Sequence, residues 1–457
     1  MFESMQDSID ASVSEFIEED DSNTPETDNT PNPAIEEFSS LQTLLFYMIA
    51  DNSLSGFIAS DIDEICQGYL KAPGNMNLLV YIDNNSNNDG LPMLMNVRRN
   101  EMRDSLIYDT LRTWSPDLNS ADPALMSQVI KEAFSGVFDT PVKGIVMSSH
   151  GFAWTPSKHY QAARARSKTT SGIPELQWFG QDINQTDCYM ELWDLHDGLK
   201  NSGVELTHIM FDACFMSNAE TAYELRDCAQ YLVASACEIP GDGYNYTKVI
   251  PELSKVTGKG DLRNALSKVI DCYGEEYHDD GPACAELCLT DLTYMDEIAA
   301  AYKKLRTGKT LDVNEVISYD SLSTSGKPLA KMQSYGRMYS LIDNYYDYFA
   351  LAECASKLGD DGTLSALLKK AVIREFHASM FSTVPMTQAT TGRIKGRDTE
   401  AFPFTSCCGI SVSLPEMFEV ADRYKEFGST SRPSLQKMQS AYARTQWSKF
   451  MEQQTSD

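Results

Sequence analysis

The sequence predicts an α/β fold, a mostly parallel sheet flanked by helices, followed by a mainly helical C-terminal region. Three observations carry this. Short apolar runs of strand length alternate with amphipathic stretches from residue 41 to about 300. The composition is globular, 42% hydrophobic and 23% charged. The chain has 457 residues, enough for a large buried core with elaborations.

Residues 1–40 form a separate acidic segment. They hold twelve of the acidic residues, and neither lysine nor arginine occurs before Lys71. Phe2, Met5, Ile9, Val13, Phe16 and Ile17 recur at helical spacing, and DDSNTPETDNTPNP then has the composition of a disordered linker. The segment reads either as a docking helix on a tether or as an acidic tail that aids solubility.

From Leu41 the texture changes. LQTLLFYMIA, NLLVYID, GIVMSSHG, LTHIMFDAC and AQYLVASA read as strands, with SGFIASDIDEICQGYL and DPALMSQVIKEAFSGV as helices between them. This order winds a parallel sheet and places functional groups in the loops at the carboxyl ends of its strands. In residues 301–457 the reading turns helical, through SYGRMYSLIDNYYDYFALAECASKL, TLSALLKKAVIREFHASM and LQKMQSAYARTQWSKFMEQQ. GISVSLP at 409–415 is the one run expected to return a strand to the sheet. The aromatic stripe Tyr339, Tyr345, Tyr346, Tyr348 and Phe349 reads as helix packing.

Composition excludes several classes. A formal charge of -28 argues against a protein that grips phosphate backbones. No apolar run approaches the ~18 residues of a membrane span. MFESMQDSID lacks the basic start and apolar stretch of an export signal, so the sequence as given reads as cytoplasmic, or as secreted or cell-surface if a signal was removed. Eleven cysteines without a regular framework read as reduced thiols. Cys284/Cys288 and Cys407/Cys408 lack a second ligand pair at zinc spacing, and DNNSNNDG at 83–90 fails the calcium-loop pattern. There is no phosphate-binding loop, dinucleotide fingerprint or serine elbow.

Two strand ends carry reactive residues. His150 closes Ile145-Val146-Met147-Ser148-Ser149 and precedes Gly151; Cys214 closes Ile209-Met210-Phe211-Asp212-Ala213, just before a possible helix start at Ser217-Asn218-Ala219-Glu220. Neighbouring parallel strands stand about 4.8 Å apart, so the two tips would bring a thiol and an imidazole to one substrate. Sulfur attacks a carbonyl carbon, and imidazole takes the thiol proton and gives one to the leaving amine. The amides of Gly151 and Cys214 are candidates to hold the oxyanion. The bland alternative is a satisfied polar histidine and a packing thiol.

FYMIADNSL (46–54), SSHG (148–151), FDACFMSNAETAYEL (211–225), SACEIPGDGYNY (235–246) and CGISVSLP, with the region of Trp447, together resemble the clostripain family of cysteine peptidases, a fold related to caspases, gingipains and legumains. The resemblance spans roughly residues 43–450. It implies a caspase-like catalytic domain over 41–300, Cys214 as nucleophile and His150 as its partner. It also implies cleavage after Arg or Lys in protein or peptide substrates, with Asp212 and Asp242 holding the basic side chain. Family members are activated by internal cleavage between histidine and cysteine; here QAARARSKTTSG (161–172) offers Arg164, Arg166 and Lys168. Some members depend on calcium, for which no residue is assigned. Where the family often has a second glycine before tryptophan, this chain has Ala153 before Trp154. The alternatives are a non-catalytic binding or scaffold protein on the same fold, and a cysteine peptidase or transpeptidase of different specificity.

Overall fold

The computed structural model describes residues 40–74, 76–84, 91–100, 104–116, 118–155, 179–183, 188–322, 328–335, 338–339, 342–343, 348–382, 384–385, 402–420 and 435–453. The acidic segment up to residue 39, residues 85–90 of the DNNSNNDG run and the proposed cleavage points Arg164, Arg166 and Lys168 lie outside the described residues.

Ten strands form one mixed sheet: β1 (Gln42–Ile49), β2 (Asn77–Asp83), β3 (Met93–Asn100), β4 (Ser105–Thr113), β5 (Val142–Ser148), β6 (His208–Asp212), β7 (Tyr231–Ala234), β8 (Cys284–Asp291), β9 (Val372–Ser382) and β10 (Phe402–Pro403). Their spatial order is β10-β9-β8-β7-β6-β5-β1-β2-β3-β4. The five central strands, β7-β6-β5-β1-β2, are parallel, and antiparallel strands extend both edges. β2 and β5 lie on opposite sides of β1, so the topological switch point lies between the carboxyl ends of β1 and β5.

The uninterrupted apolar run of β1 follows from burial on both faces. Leu44, Phe46 and Met48 enter one core while Leu45, Tyr47 and Ile49 enter the other. The first core is covered by α1 (Ser55–Lys71), α5 (Tyr246–Leu253) and α6 (Lys259–Glu276). The second is covered by α2 (Pro123–Ala133), α3 (Leu192–Asn201), α4 (Ala219–Leu225) and α7 (Met295–Arg306), together with later elements down to Trp447. Among the described residues no helix is long and apolar enough to cross a membrane.

The C-terminal reading needs correction at three elements. VIREFHASMFS, expected as helix, is the long strand β9; its partner β8 is fully buried along seven of eight positions and would otherwise expose an unpaired ladder. Helix Thr363–Ala371 runs directly into it, so the apolar spacing gave no break to read. The GISVSLP run does form a strand, but Ser411–Val412 pairs with Phe349–Ala350 in a separate two-stranded sheet. The aromatic stripe is not one helix: Phe349 is in that small sheet, Met338–Tyr339 pairs with Ile342–Asp343, and the helix begins only at Leu351. Tyr345 and Tyr346 lie outside the described residues.

Candidate active site

β5 and β6 pair in register up to Ser148 and Asp212, and the Ser149 amide continues the ladder to the Asp212 carbonyl at 3.4 Å. Two residues further on each strand come His150 and Cys214. The glycine after the histidine has a packing reason: a Cβ at Gly151 would stand 2.8 Å from the Cys214 carbonyl oxygen, 2.9 Å from Ala213 Cβ and 3.3 Å from the Cys214 nitrogen. The two loops therefore lie backbone against backbone.

Aromatic rings lock this arrangement from the other face. Phe152 meets Phe215 edge-on at 4.6 Å, and Tyr348 stacks on Phe215 at 5.9 Å while donating its hydroxyl to the Phe152 carbonyl at 3.1 Å. Tyr348 is thus a clasp between the histidine and cysteine loops. Both loops contain a non-glycine residue at positive φ, Ala153 at 53° and Phe215 at 62°. Ala153 takes up a left-handed backbone that a glycine would adopt freely, at a cost of roughly 1–2 kcal/mol. Trp154, fully buried, fixes the loop's far end through its indole N–H to Ser413 Oγ at 2.8 Å.

The thiol is half-buried. Its Sγ accepts from the Ile239 amide at 3.4 Å, and its turn is held by the Phe215 amide on the Cys237 carbonyl and by the Asn218 side chain capping α4. The imidazole is buried, and its Nε2 shares a hydrogen bond of 2.9 Å with Ser53 Oγ. Burial pushes its pKa down to about 4, so the ring is neutral at pH 7. Ser53 belongs to the DNSL motif after β1, where Asn52 bonds the Ile49 and Gln181 carbonyls and Ser149 Oγ.

A cluster of acids gathers around Asp212. Asp212 is buried at the tip of β6, where Tyr246 donates its hydroxyl to Oδ2 at 2.8 Å. Gly243, at φ +57°, approaches so closely that a Cβ there would stand 2.5 Å from that oxygen, which is why the GDGY turn needs glycine. Burial raises Asp212 to about 6. Asp242, in the same turn, is exposed. Sequence reasoning missed the contribution of α1. Phe57 touches Gly241, Glu64 accepts the Tyr246 amide at 2.9 Å, and Asp61 sits between them on the same helical face. Asp61 is 5% exposed, and burial together with the carboxylates of Asp212, Glu64 and Asp242 raises it to about 9. The signal was available: SDIDE puts acids on the buried side of an otherwise apolar helix stripe.

The family model described as the clostripain family matches residues 46–453. Clostripain of Hathewaya histolytica is 24% identical over 257 residues, covering 51% of this chain and 46% of that protein, so the chain matches about half the length of this relative. A secreted C11 cysteine protease of Bacteroides thetaiotaomicron, solved with an irreversible peptide inhibitor, is 23% identical over 90% of this chain and 99% of its own, with a TM-score of 0.65. An inactive zymogen C11 protease of Parabacteroides distasonis is 22% identical over 91% and 99%, with a TM-score of 0.64. At these identities the solved structures establish a shared, caspase-like fold.

Proposed function

The chain belongs to the clostripain family, a family of cysteine peptidases, and from that premise we propose that it is an endopeptidase cleaving after arginine, or less often lysine, through a thioacyl-enzyme on Cys214. The observation that carries this reading is the buried Asp212 carboxyl two residues before the thiol, close enough to the buried Asp61 that its charge, with that of Asp242, acts on it. Buried carboxyls with raised pKa values are suited to a guanidinium, which stabilises their charged form through bidentate, charge-assisted hydrogen bonds.

With a cationic side chain against Asp212, the scissile carbonyl lies over Cys214. The neutral His150 takes the thiol proton as sulfur bonds to the carbonyl carbon, then passes it to the amine as the C–N bond breaks. The amides of Gly151 and Cys214 hold the oxyanion. Water then hydrolyses the thioester, with His150 as base. Ser53 positions the ring. The N-terminal acidic segment and the basic run 161–172 fit a precursor that is processed at Arg164, Arg166 or Lys168 by its own specificity; one solved relative is described as an inactive zymogen. One structural neighbour is described as secreted, which suits the secreted option.

The test compares wild type with Cys214→Ala for mass and for hydrolysis of Arg, Lys and neutral peptides, with and without calcium. Arg hydrolysis and cleavage within 161–172, both absent from the variant, support the reading. Intact, inert protein in both samples would overturn it.

A further inference from the structure

Cys407 has no partner at metal-site spacing in the sequence, but the fold brings Glu375 and His377 to it. Glu375 and His377 are two residues apart on β9 and share a face of the strand, while Cys407 lies on the strap that follows β10. The ligand atoms of these three side chains all lie within 4.8 Å of one another, with His377 Nδ1 2.5 Å from Glu375 Oε1. Ligand atoms around a tetrahedral zinc ion stand roughly 3.5 Å apart, so small side-chain rotations close the set.

A second observation points to a cation. Glu286 stands directly opposite His377 in the β8–β9 ladder and is fully buried. Its Oε2 accepts from Ser235 Oγ and the Ala236 amide, yet its Oε1 has no hydrogen-bond partner. Cys407 and Cys288 both lie in the field of this carboxyl and of Glu375. Glu375 meets His377 Nδ1, whereas the second oxygen of Glu286 stays buried without a partner, a cost that a ligand at this place would relieve. The other described cluster of this kind, His196, Asp227 and Cys228, differs because Lys200 Nζ already sits 3.0 Å from Asp227 Oδ2 and neutralises it.

We propose that Glu375, His377 and Cys407 bind a borderline-soft divalent cation of the zinc class, with Glu286 as the buried carboxyl behind it and a fourth position open to solvent. The donor set of one thiolate, one imidazole and one carboxylate suits zinc better than calcium or magnesium, which take oxygen ligands. The His377 side chain is 36% exposed, which gives the ion an entry path. Binding releases the Cys407 thiol proton. The ion would pin the strap two residues before Gly409, whose carbonyl accepts Ser217 Oγ at 2.5 Å, three residues beyond Cys214.

The experiment uses the full chain carrying Cys214→Ala, which removes the thiol proposed as the nucleophile from the metal count. After chelation and reloading with zinc, metal content is measured by mass spectrometry, and cobalt loading is followed by its thiolate charge-transfer band. One equivalent retained in the parent, reduced at least tenfold by Cys407→Ser and by His377→Ala but not by His196→Ala, with the cobalt band lost in Cys407→Ser, is the expected result. Retention unchanged by both substitutions, or no retention in the parent, overturns the proposal. His377→Ala changes a half-exposed ring, so it decides the matter even if Cys407→Ser fails to fold. A zinc-dependent rise in Tm in the parent, absent from His377→Ala, is the second readout.

Discussion

At the residue scale, the acids around Asp212 make the sharpest predictions. Asp212, raised to about 6 by burial, is protonated below that pH and charged above it. The KM for an Arg substrate should therefore fall as pH rises from 5 to 7, while a neutral substrate shows no such limb; pH profiles of both check this. Asp61 holds its proton in the free fold and would give it up to a bound guanidinium, so Asp61→Asn, which cannot ionise, should raise KM for Arg peptides about tenfold to a hundredfold, with a smaller change in kcat. The sequence marked Asp61 as an acid on an apolar helix stripe but hid which residues it and Ser53 would face. Nothing in a helix stripe or a DNSL turn says which distant residue it will face. His150 and Cys214 were legible because each directly ends an apolar run, and chain order alone puts such residues at strand tips.

At the element scale, the two loops are held by close backbone contact and by residues in left-handed conformations. Gly151→Ala would drive a methyl into the Cys214 carbonyl at 2.8 Å, and should reduce kcat/KM by at least tenfold in peptide hydrolysis assays. Ala153→Val places a β-branched residue at φ 53° and should cost about 2 kcal/mol or more in denaturant unfolding, whereas Ala153→Gly, which trades strain against a lost buried methyl, should stay within about 1 kcal/mol. The misread elements have one cause. VIREFHASMFS and the tyrosine stripe carry apolar residues at spacings that both helix and strand accept, and only the exposed ladder of β8 and the pocket between Phe152 and Phe215 select the outcome.

At the scale of the whole molecule, burial of acids dominates the pH response. Asp61, Asp83 and Glu220 are raised by burial to about 9, 7 and 7, so each holds a proton in the fold that the unfolded chain has lost above pH 4. Their contribution is full below pH 4 and is lost as pH rises toward those values. His150 and His208, lowered by burial to about 4 and 3, act oppositely: their contribution is present above pH 6.5 and lost as pH falls below it. The acids outnumber the imidazoles, and the charge of -28 adds repulsion as pH rises, so Tm should be higher near pH 5.5 than near pH 8.5 in calorimetric scans. The C-terminal end is part of the same body: Trp447 is fully buried and stacks on Tyr302 at 5.6 Å, and Trp447→Ala should cost about 3–5 kcal/mol. The sequence by itself determined the alternating βα order, the strand tips that present His150 and Cys214, and the acid beside them, because these follow from local pattern and chain direction. Tertiary structure alone decided the placing of Asp61 near Asp212, the Tyr348 clasp, the long strand β9 and the meeting of Cys407 with Glu375 and His377. Each of those joins residues far apart in sequence, and what unites them is burial against a common neighbour, which no local spacing encodes.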